Sequence, residues 1–344
     1  MKTKLFLSLL TAFILNFSFA QTAGEYIRMG IELHDNGDFK GAIKKYKKAL
    51  KKDKNNMSAH YEIAYTYSAL KNYKQVIKHA DVLINSNPQP SITDQAYDIK
   101  GTALDEMGKP LEAIKCYEEG AKYYPNFYLL HFNLGLTLYK TGQSEKAVKS
   151  FINAINVRPD HTSSHLILGL IMQDQGKRVQ SLLSLYYFLM LEPKSSRSKI
   201  AIESMTKQLN KGISSDPSKN SINISVSSLS DDDPFSMIDM MISMSQGLNI
   251  TPEQKEKTPA EKFYSTTETL FSLLAEKKDE NNGFWWDFYA EFYTKLKNSD
   301  HLETFCYYIN QKNTEGEFRK WVNNNNDKVK AFKEWKNENK VTND

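Results

Sequence analysis

The chain has 344 residues, 40% hydrophobic and 25% charged, with 15 Gly and 10 Pro, which supports folded structure over most of its length and excludes collagen-like or broadly disordered classes. Lys and Arg number 45 against 41 Asp and Glu, a formal charge of +4 that is too near neutral to favour a nucleic-acid partner. Two cysteines exclude a disulfide scaffold and a multi-Cys zinc site.

Residues 1–20 read as an export signal peptide: Lys2 and Lys4, the apolar run Leu5 to Phe17, then Ser18-Phe19-Ala20 before Gln21. The apolar run is shorter than the ~20 residues that cross a bilayer. The expectation is cleavage after Ala20, no stable membrane anchor, and a periplasmic or secreted bacterial protein. Loss of Lys2 and Lys4 leaves 43 basic residues and a charge of +2.

Small residues then recur at Gly30, Ala64, Gly101, Gly135 and Gly169, with gaps of 34, 37, 34 and 34. Prolines follow at Pro88, Pro125, Pro159 and Pro193, each 24 residues after a small residue, which places the three extra residues at Gln89-Pro90-Ser91, between units. Within each unit, apolar residues at helical spacing flank a turn at Asn36-Gly37, Lys71-Asn72, Met107-Gly108, Thr141-Gly142 or Gln175-Gly176, predicting helix, turn, helix. Twelve residues after the small position stand Ala42, Val76, Ala113, Ala147 and Ser181; sixteen after it stand Tyr46, Ala80, Tyr117, Phe151 and Leu185.

This pattern resembles the tetratricopeptide repeat (TPR) over residues 23–193. The sequence departs from the family in carrying Tyr26, His60, Tyr97, His131 and His165 where Trp is usual, Lys54 in place of the first closing Pro, Lys100 in place of Leu, and a loosened fifth unit at Ser181 and Phe188. The resemblance implies an all-α protein, a right-handed α-solenoid of about five helix-turn-helix units at 23–56, 57–90, 94–127, 128–161 and 162–195, with a capping helix at 196–211. It also implies a concave groove lined by the first helices, placing Ile31, Tyr61, Tyr65, Asp98, Thr102, Phe132, Asn133, Leu136, Tyr139 and Leu166 on it. Family members that grip a peptide's terminal carboxylate carry Lys, Asn and Arg there; Ile27, Ile31, Glu62, Gln95 and Ile99 hold the first such register, so no carboxylate clamp is expected. Aromatic and aliphatic anchors suit an amphipathic helix or an extended apolar segment. That segment belongs to a protein or peptide partner, or to the chain's own residues 235–244.

Residues 212–257 read as a linker, rich in Ser, Asn and Asp up to Asp233, with a Met-rich amphipathic segment at 233–246. The thioethers of Met237, Met240, Met241 and Met244 suit Cu(I), but the expectation is a flexible helix that fills an apolar groove. Residues 258–338 read as a second α-helical region, with capping boxes at Thr258 to Glu261, Asp300 to Glu303 and Thr314 to Glu317. It holds all four Trp, and its aromatics recur at core spacing; Trp286 and Tyr293 fall off the main stripe and are expected at the surface. No family resemblance extends to it.

There is no Gly-x-Ser-x-Gly elbow, Gly-rich phosphate loop, His-Glu-x-x-His or Cys-x-x-Cys. No enzyme, no cofactor and no metal site is therefore expected. Cys116 and Cys306 are expected to be buried and unpaired, a disulfide being the alternative. Lys40, Lys44, Lys45, Lys47, Lys48, Lys51, Lys52 and Lys54 crowd one helix and read as a solvated outer face. The function expected is that of an exported scaffold for protein-protein interaction; the alternative is a TPR docking module carrying a C-terminal ligand-binding, glycan-binding or catalytic region.

Overall fold

The computed structural model describes residues 21–86, 90–216, 221–225 and 233–341. The export segment, residues 1–20, lies outside them. The architecture is all-α, of the tandem helix-pair solenoid type, and it forms two compact units that divide at Pro125–Asn126.

The first unit holds three helix pairs: α1 (Ala23–Asp35) with α2 (Phe39–Lys52), α3 (Met57–Ala69) with α4 (Tyr73–Asn85), and α5 (Pro90–Glu106) with α6 (Pro110–Tyr123). Thr22 and Glu25 close a capping box at the start of α1, each satisfying a backbone N–H that the helix leaves free. α5 is 17 residues long where α1 and α3 have 13. The extra residues expected in the inter-unit turn thus lengthen a helix, since Pro90 and Ser91 form its first turn, Pro being tolerated where no N–H is needed. Gln89 lies outside the described residues.

The pairs close by complementary size. A Cβ added to Gly30 or Gly101 would run into the ring of Tyr46 or Tyr117, sixteen residues later on the partner helix of the same pair. In the second pair Ala64 stands where the others have glycine, and Ala80 stands sixteen residues on where they have a ring, both fully buried. One methyl gained is matched by one ring lost, as close packing requires. Each turn places one residue at positive φ, glycine at Gly37 (81°) and Gly108 (73°), and Lys71 (54°) in the second pair.

The second unit begins with two further pairs, α7 (Tyr128–Lys140) with α8 (Ser144–Val157), and α9 (Thr162–Asp174) with α10 (Arg178–Leu191), followed by α11 (Ser196–Leu209). Instead of an unstructured linker, strands β1 (Ile213–Asp216) and β2 (Ser221–Ile224) pair antiparallel with Ile213 opposite Ile224, and α12 (Ser236–Asn249) follows. The remainder comprises α13 (Pro259–Lys277), a π-helical turn Trp285–Ala290 that runs into α14 (Glu291–Lys297), α15 (Leu302–Ile309), α16 (Gly316–Asn324) and α17 (Asn326–Glu338).

The core of this unit is α10, of whose 14 residues 13 are buried. Its Tyr186 ring meets Phe263, Phe271, Tyr293 and Phe305 at centroid distances of 5.8 to 6.4 Å, and the Tyr293 hydroxyl donates to the Leu183 carbonyl at 2.7 Å. Residues 258–338 therefore wrap the second helix of the fifth repeat. Trp286 and Tyr293, expected at the surface, are 3% and 0% exposed. The π-turn explains this: its wider winding shifts the helical phase ahead of α14, so Trp286 stacks on Phe235 at 4.7 Å and Tyr293 on Phe271 at 4.4 Å.

Of the three expected capping boxes in this region, Thr258 with Glu261 forms. The other two do not: α15 and α16 start after His301 and Glu315, neither with a side-chain cap. Glu317 instead accepts from the Ala260 N–H at 2.8 Å, capping α13 from 57 residues away. Cys116 and Cys306 are buried free thiols, and burial pushes both above the usual thiol range, Cys116 to about 12.

Candidate functional site

The expected groove residues sit on first helices of the pairs, which is where the heptad-like 3.6-residue spacing sends them. In the first unit Tyr65 is 50% exposed and Ile31 36%. Tyr61 stacks on Tyr65 with ring centroids 6.2 Å apart at 12°, and Tyr65 stacks on His34 at 5.1 Å and 25°. His34 is a member that the sequence reading missed; its Nδ1 is 2.8 Å from Thr66 Oγ1, which fixes the ring under Tyr65. Its signal was its place in the last turn of α1, the first helix of the pair preceding the one that carries the tyrosines.

Carboxylates flank this aromatic row. Burial, then Glu62, Tyr65, Asp98 and Asp94, push the Tyr61 hydroxyl up to about 12. Burial and Asp35 raise the Glu62 carboxyl, and burial raises that of Asp94. Thr102 Oγ1 is 3.0 Å from the Tyr117 hydroxyl and so is committed to the helix pair. Asp98 and Thr102 are partly exposed. The lysines gather on α2, where Lys40, Lys44, Lys47, Lys48, Lys51 and Ile43 line a shallow cleft of about 400 Å³. Acid therefore lies beside the tyrosine row, and a lysine cluster lies on α2.

In the second unit Leu136 and Tyr139 are 36% and 38% exposed, and the Tyr139 hydroxyl donates to Asp174 at 2.7 Å. Phe132 and Asn133 are partly exposed. Phe132 packs edge-on against His161 at 4.7 Å. Leu166 is 7% exposed, which removes it from the available surface. The cause is the enclosure of the fifth pair: Arg197 of α11 donates to Thr162 and Ser163, and His165 meets Phe288 and Tyr289.

The repeated histidines are structural. The ring Nε2 of His60 lies 3.1 Å from the Lys54 carbonyl, and that of His165 2.8 Å from the Pro159 carbonyl, six residues earlier in both cases. Each holds the turn that closes the preceding repeat.

The Met-rich segment forms α12 and contacts its own chain, but its partners are α10, α11, α13 and the β1–β2 hairpin. Phe235, Ile238 and Ile242 are buried, whereas Met237 and Met244 are 45% and 46% exposed, so the segment does not sink its methionines into a groove. Arg178, also unforeseen, fixes it: the guanidinium is 3% exposed and donates to the Asp239 carboxylate at 3.1 Å, Ser243 Oγ at 2.6 Å, and the Gln208 and Leu209 carbonyls at 2.6 and 2.5 Å. The signal in the sequence was that residues 182–191 are apolar but for Ser184, the mark of a helix buried on every side. Among the described residues no group of three or more His, Cys, Asp or Glu is placed to hold a metal ion, and no helix is long and apolar enough to cross a membrane.

Residues 30–71 match the family model described as TPR repeat, and residues 100–160 match that of the tetratricopeptide repeat. Among solved structures, MamA is 24% identical, the likeness covering 52% of this chain and 95% of MamA, with a TM-score of 0.40. YrrB, described as a TPR protein with an unusual peptide-binding site, is 19% identical over 54% of this chain and 92% of its own, with a TM-score of 0.42. The pilF protein of Pseudomonas aeruginosa is 18% identical over 54% and 88%, with a TM-score of 0.44. No curated protein matches the chain. Both family matches fall on helix pairs of the 34-residue period, so the repeat region is made of tetratricopeptide repeats, of the protein-interaction scaffold type.

Proposed function

We propose that the protein is an exported, non-catalytic scaffold that binds a segment of a partner protein on the first-helix face of its repeats. The observation that carries this reading is the stacked row of Tyr61, Tyr65 and His34, half open to solvent at Tyr65 and flanked by Glu62, Asp94 and Asp98. Tyrosines supply rigid contact area at low entropic cost, and exposed ones in a stack are typical anchors of a binding surface. The carboxylates favour a segment that pairs its apolar side chains with Lys or Arg, because a cation over a tyrosine face gains from both ring and carboxylate. A carboxylate-clamped peptide terminus does not suit this face.

The packing of residues 258–338 around α10 supports a structural role for that region over the alternative of an independent ligand-binding or catalytic domain. Removal of residues 1–20 on export is part of the proposal, and N-terminal sequencing of the mature protein from its own cells tests it, Gln21 being the expected first residue. For binding, Ile31→Ala with Tyr65→Ala removes two exposed side chains and no core. Cross-linking in the native cells followed by mass spectrometry should recover a partner with the wild type and lose it with the double variant at unchanged melting temperature. A partner retained undiminished by that variant refutes the assignment of this face.

A further inference from the structure

We propose that the outer face of α12 is a thioether site for a soft monovalent metal ion, Cu(I) in chemical class, held by Met237, Met241 and Met244. At ~100° per residue, Met237, Met241, Met244 and Leu248 fall within about 60° of arc, and Met240 borders it. Side chains three and four residues apart on one helix face are neighbours at ~5–6 Å between Cβ atoms, a span that unbranched methionine side chains close easily. Four of the chain's eleven methionines stand in these eight residues.

The face is outward and the helix is fixed in phase. Met237 and Met244 are 45% and 46% exposed, with Met240 and Met241 partly so. On the opposite side Phe235 stacks on Trp286, and Ile238 and Ile242 are fully buried. Ser243 accepts from Arg178, while Asn249, Gln246 and Ser245 all lie within 3.1 Å of Thr266 Oγ1. Rotation of α12 about its axis breaks these contacts together, so the thioethers are presented on a rigid support, as a metal site needs.

The donor set selects the ion. Thioethers are neutral and soft, which favours a d¹⁰ monocation over Zn²⁺, Mg²⁺ or Ca²⁺, whose sites use imidazole, thiolate or oxygen. Residues 233–250 contain no Lys or Arg, so no cationic side chain of the segment opposes a bound cation. The same composition argues against an anionic lipid surface, for which an amphipathic helix carries basic residues. The inference is independent of the proposed partner-binding face.

The test compares the full mature protein with Met237→Leu/Met241→Leu/Met244→Leu, which keeps the apolar surface and both cysteines and removes three sulfurs. In competition with bicinchoninate for Cu(I), the wild type should bind one equivalent at least tenfold more tightly than the variant, with circular dichroism melting curves that coincide. Equal binding by the two proteins, or failure of the wild type to compete, overturns the site. A second measurement needs no variant: on titration of Ag(I) into protein labelled at the methionine methyls, the resonances of Met237, Met241 and Met244 should shift first. First shifts at Met29, Met57 or Met107 overturn it equally.

Discussion

The hydroxyl of Tyr289 lies 2.6 Å from Nδ1 of His165, joining the C-terminal region to the fifth repeat across 124 residues of sequence. Because the other ring nitrogen faces the Pro159 carbonyl, which only accepts, His165 carries its proton on Nε2 and takes a hydrogen bond from Tyr289 at Nδ1. Tyr289→Phe leaves that buried nitrogen without a donor, a loss of ~1–3 kcal/mol. Urea denaturation should show the midpoint falling with an unchanged slope. An unaltered midpoint means that the pair contributes nothing to the union of the two parts.

Burial holds the His165 imidazole far down, to about 3, and does the same to His161 and His79, to about 4. In the unfolded chain these rings titrate near ~6.5. Between that value and about 4 the unfolded state binds protons that the native state refuses, so stability falls as pH falls through this window. The fully enclosed His165 contributes most, ~1.4 kcal/mol for each pH unit traversed below the unfolded value; the partly exposed His161 and His79 contribute less because solvent screens them. Chemical denaturation at pH 7, 6, 5 and 4 should show the fall, and His165→Gln should flatten it.

Arg178 gathers the end of α11 and the flank of α12 onto α10 through one buried guanidinium. Arg178→Ala removes the guanidinium from Asp239 and leaves the Gln208 and Leu209 carbonyls without their donor, at a cost of ~1–3 kcal/mol for each buried acceptor left unmade. Limited proteolysis should then cut within residues 233–250 well before the wild type is cut there. Arg178→Lys should restore little, since an ammonium lacks the planar fork that reaches four acceptors.

Glycine at the small position is required to different degrees. In Gly101→Ala the new methyl meets the Tyr117 ring, whose hydroxyl is tied to Thr102, and overpacking of ~1–3 kcal/mol exceeds the ~1 kcal/mol gained in helix propensity. In Gly135→Ala the methyl would stand 3.0–3.1 Å from the Phe151 ring, a smaller conflict that the propensity gain offsets. Thermal melts should rank Gly101→Ala clearly below Gly135→Ala; the reverse order contradicts the size-matching account of the helix pairs.

These contrasts mark what was legible in the sequence. The repeat region was readable because its period is enforced locally: a glycine must face Tyr46, Tyr117 or Phe151, and a turn residue must adopt positive φ. Tyr65 and Ile31 were readable as exposed by the same register, whereas Leu166 was not, because what encloses the fifth pair comes from α11 and from Phe288 and Tyr289 far along the chain. Trp286 and Tyr293 were misplaced because a π-turn breaks the 100° phase on which a helical stripe depends. Glu317 was misread because a carboxylate three residues past a Thr signals a capping box only if nothing else needs it, and α13 did. The methionine stripe was visible, but not which way it faced; Arg178 and Thr266 decide that through contacts with no sequence period.

The most direct test of the scaffold reading is site-specific photo-cross-linking in the native cells, with the reactive residue placed at Tyr65 or, in a parallel strain, at Leu111, which is 66% exposed on α6. The account predicts a discrete cross-linked partner from position 65, abolished by Ile31→Ala, and none from position 111. Capture of a partner from position 111 with none from position 65 contradicts it.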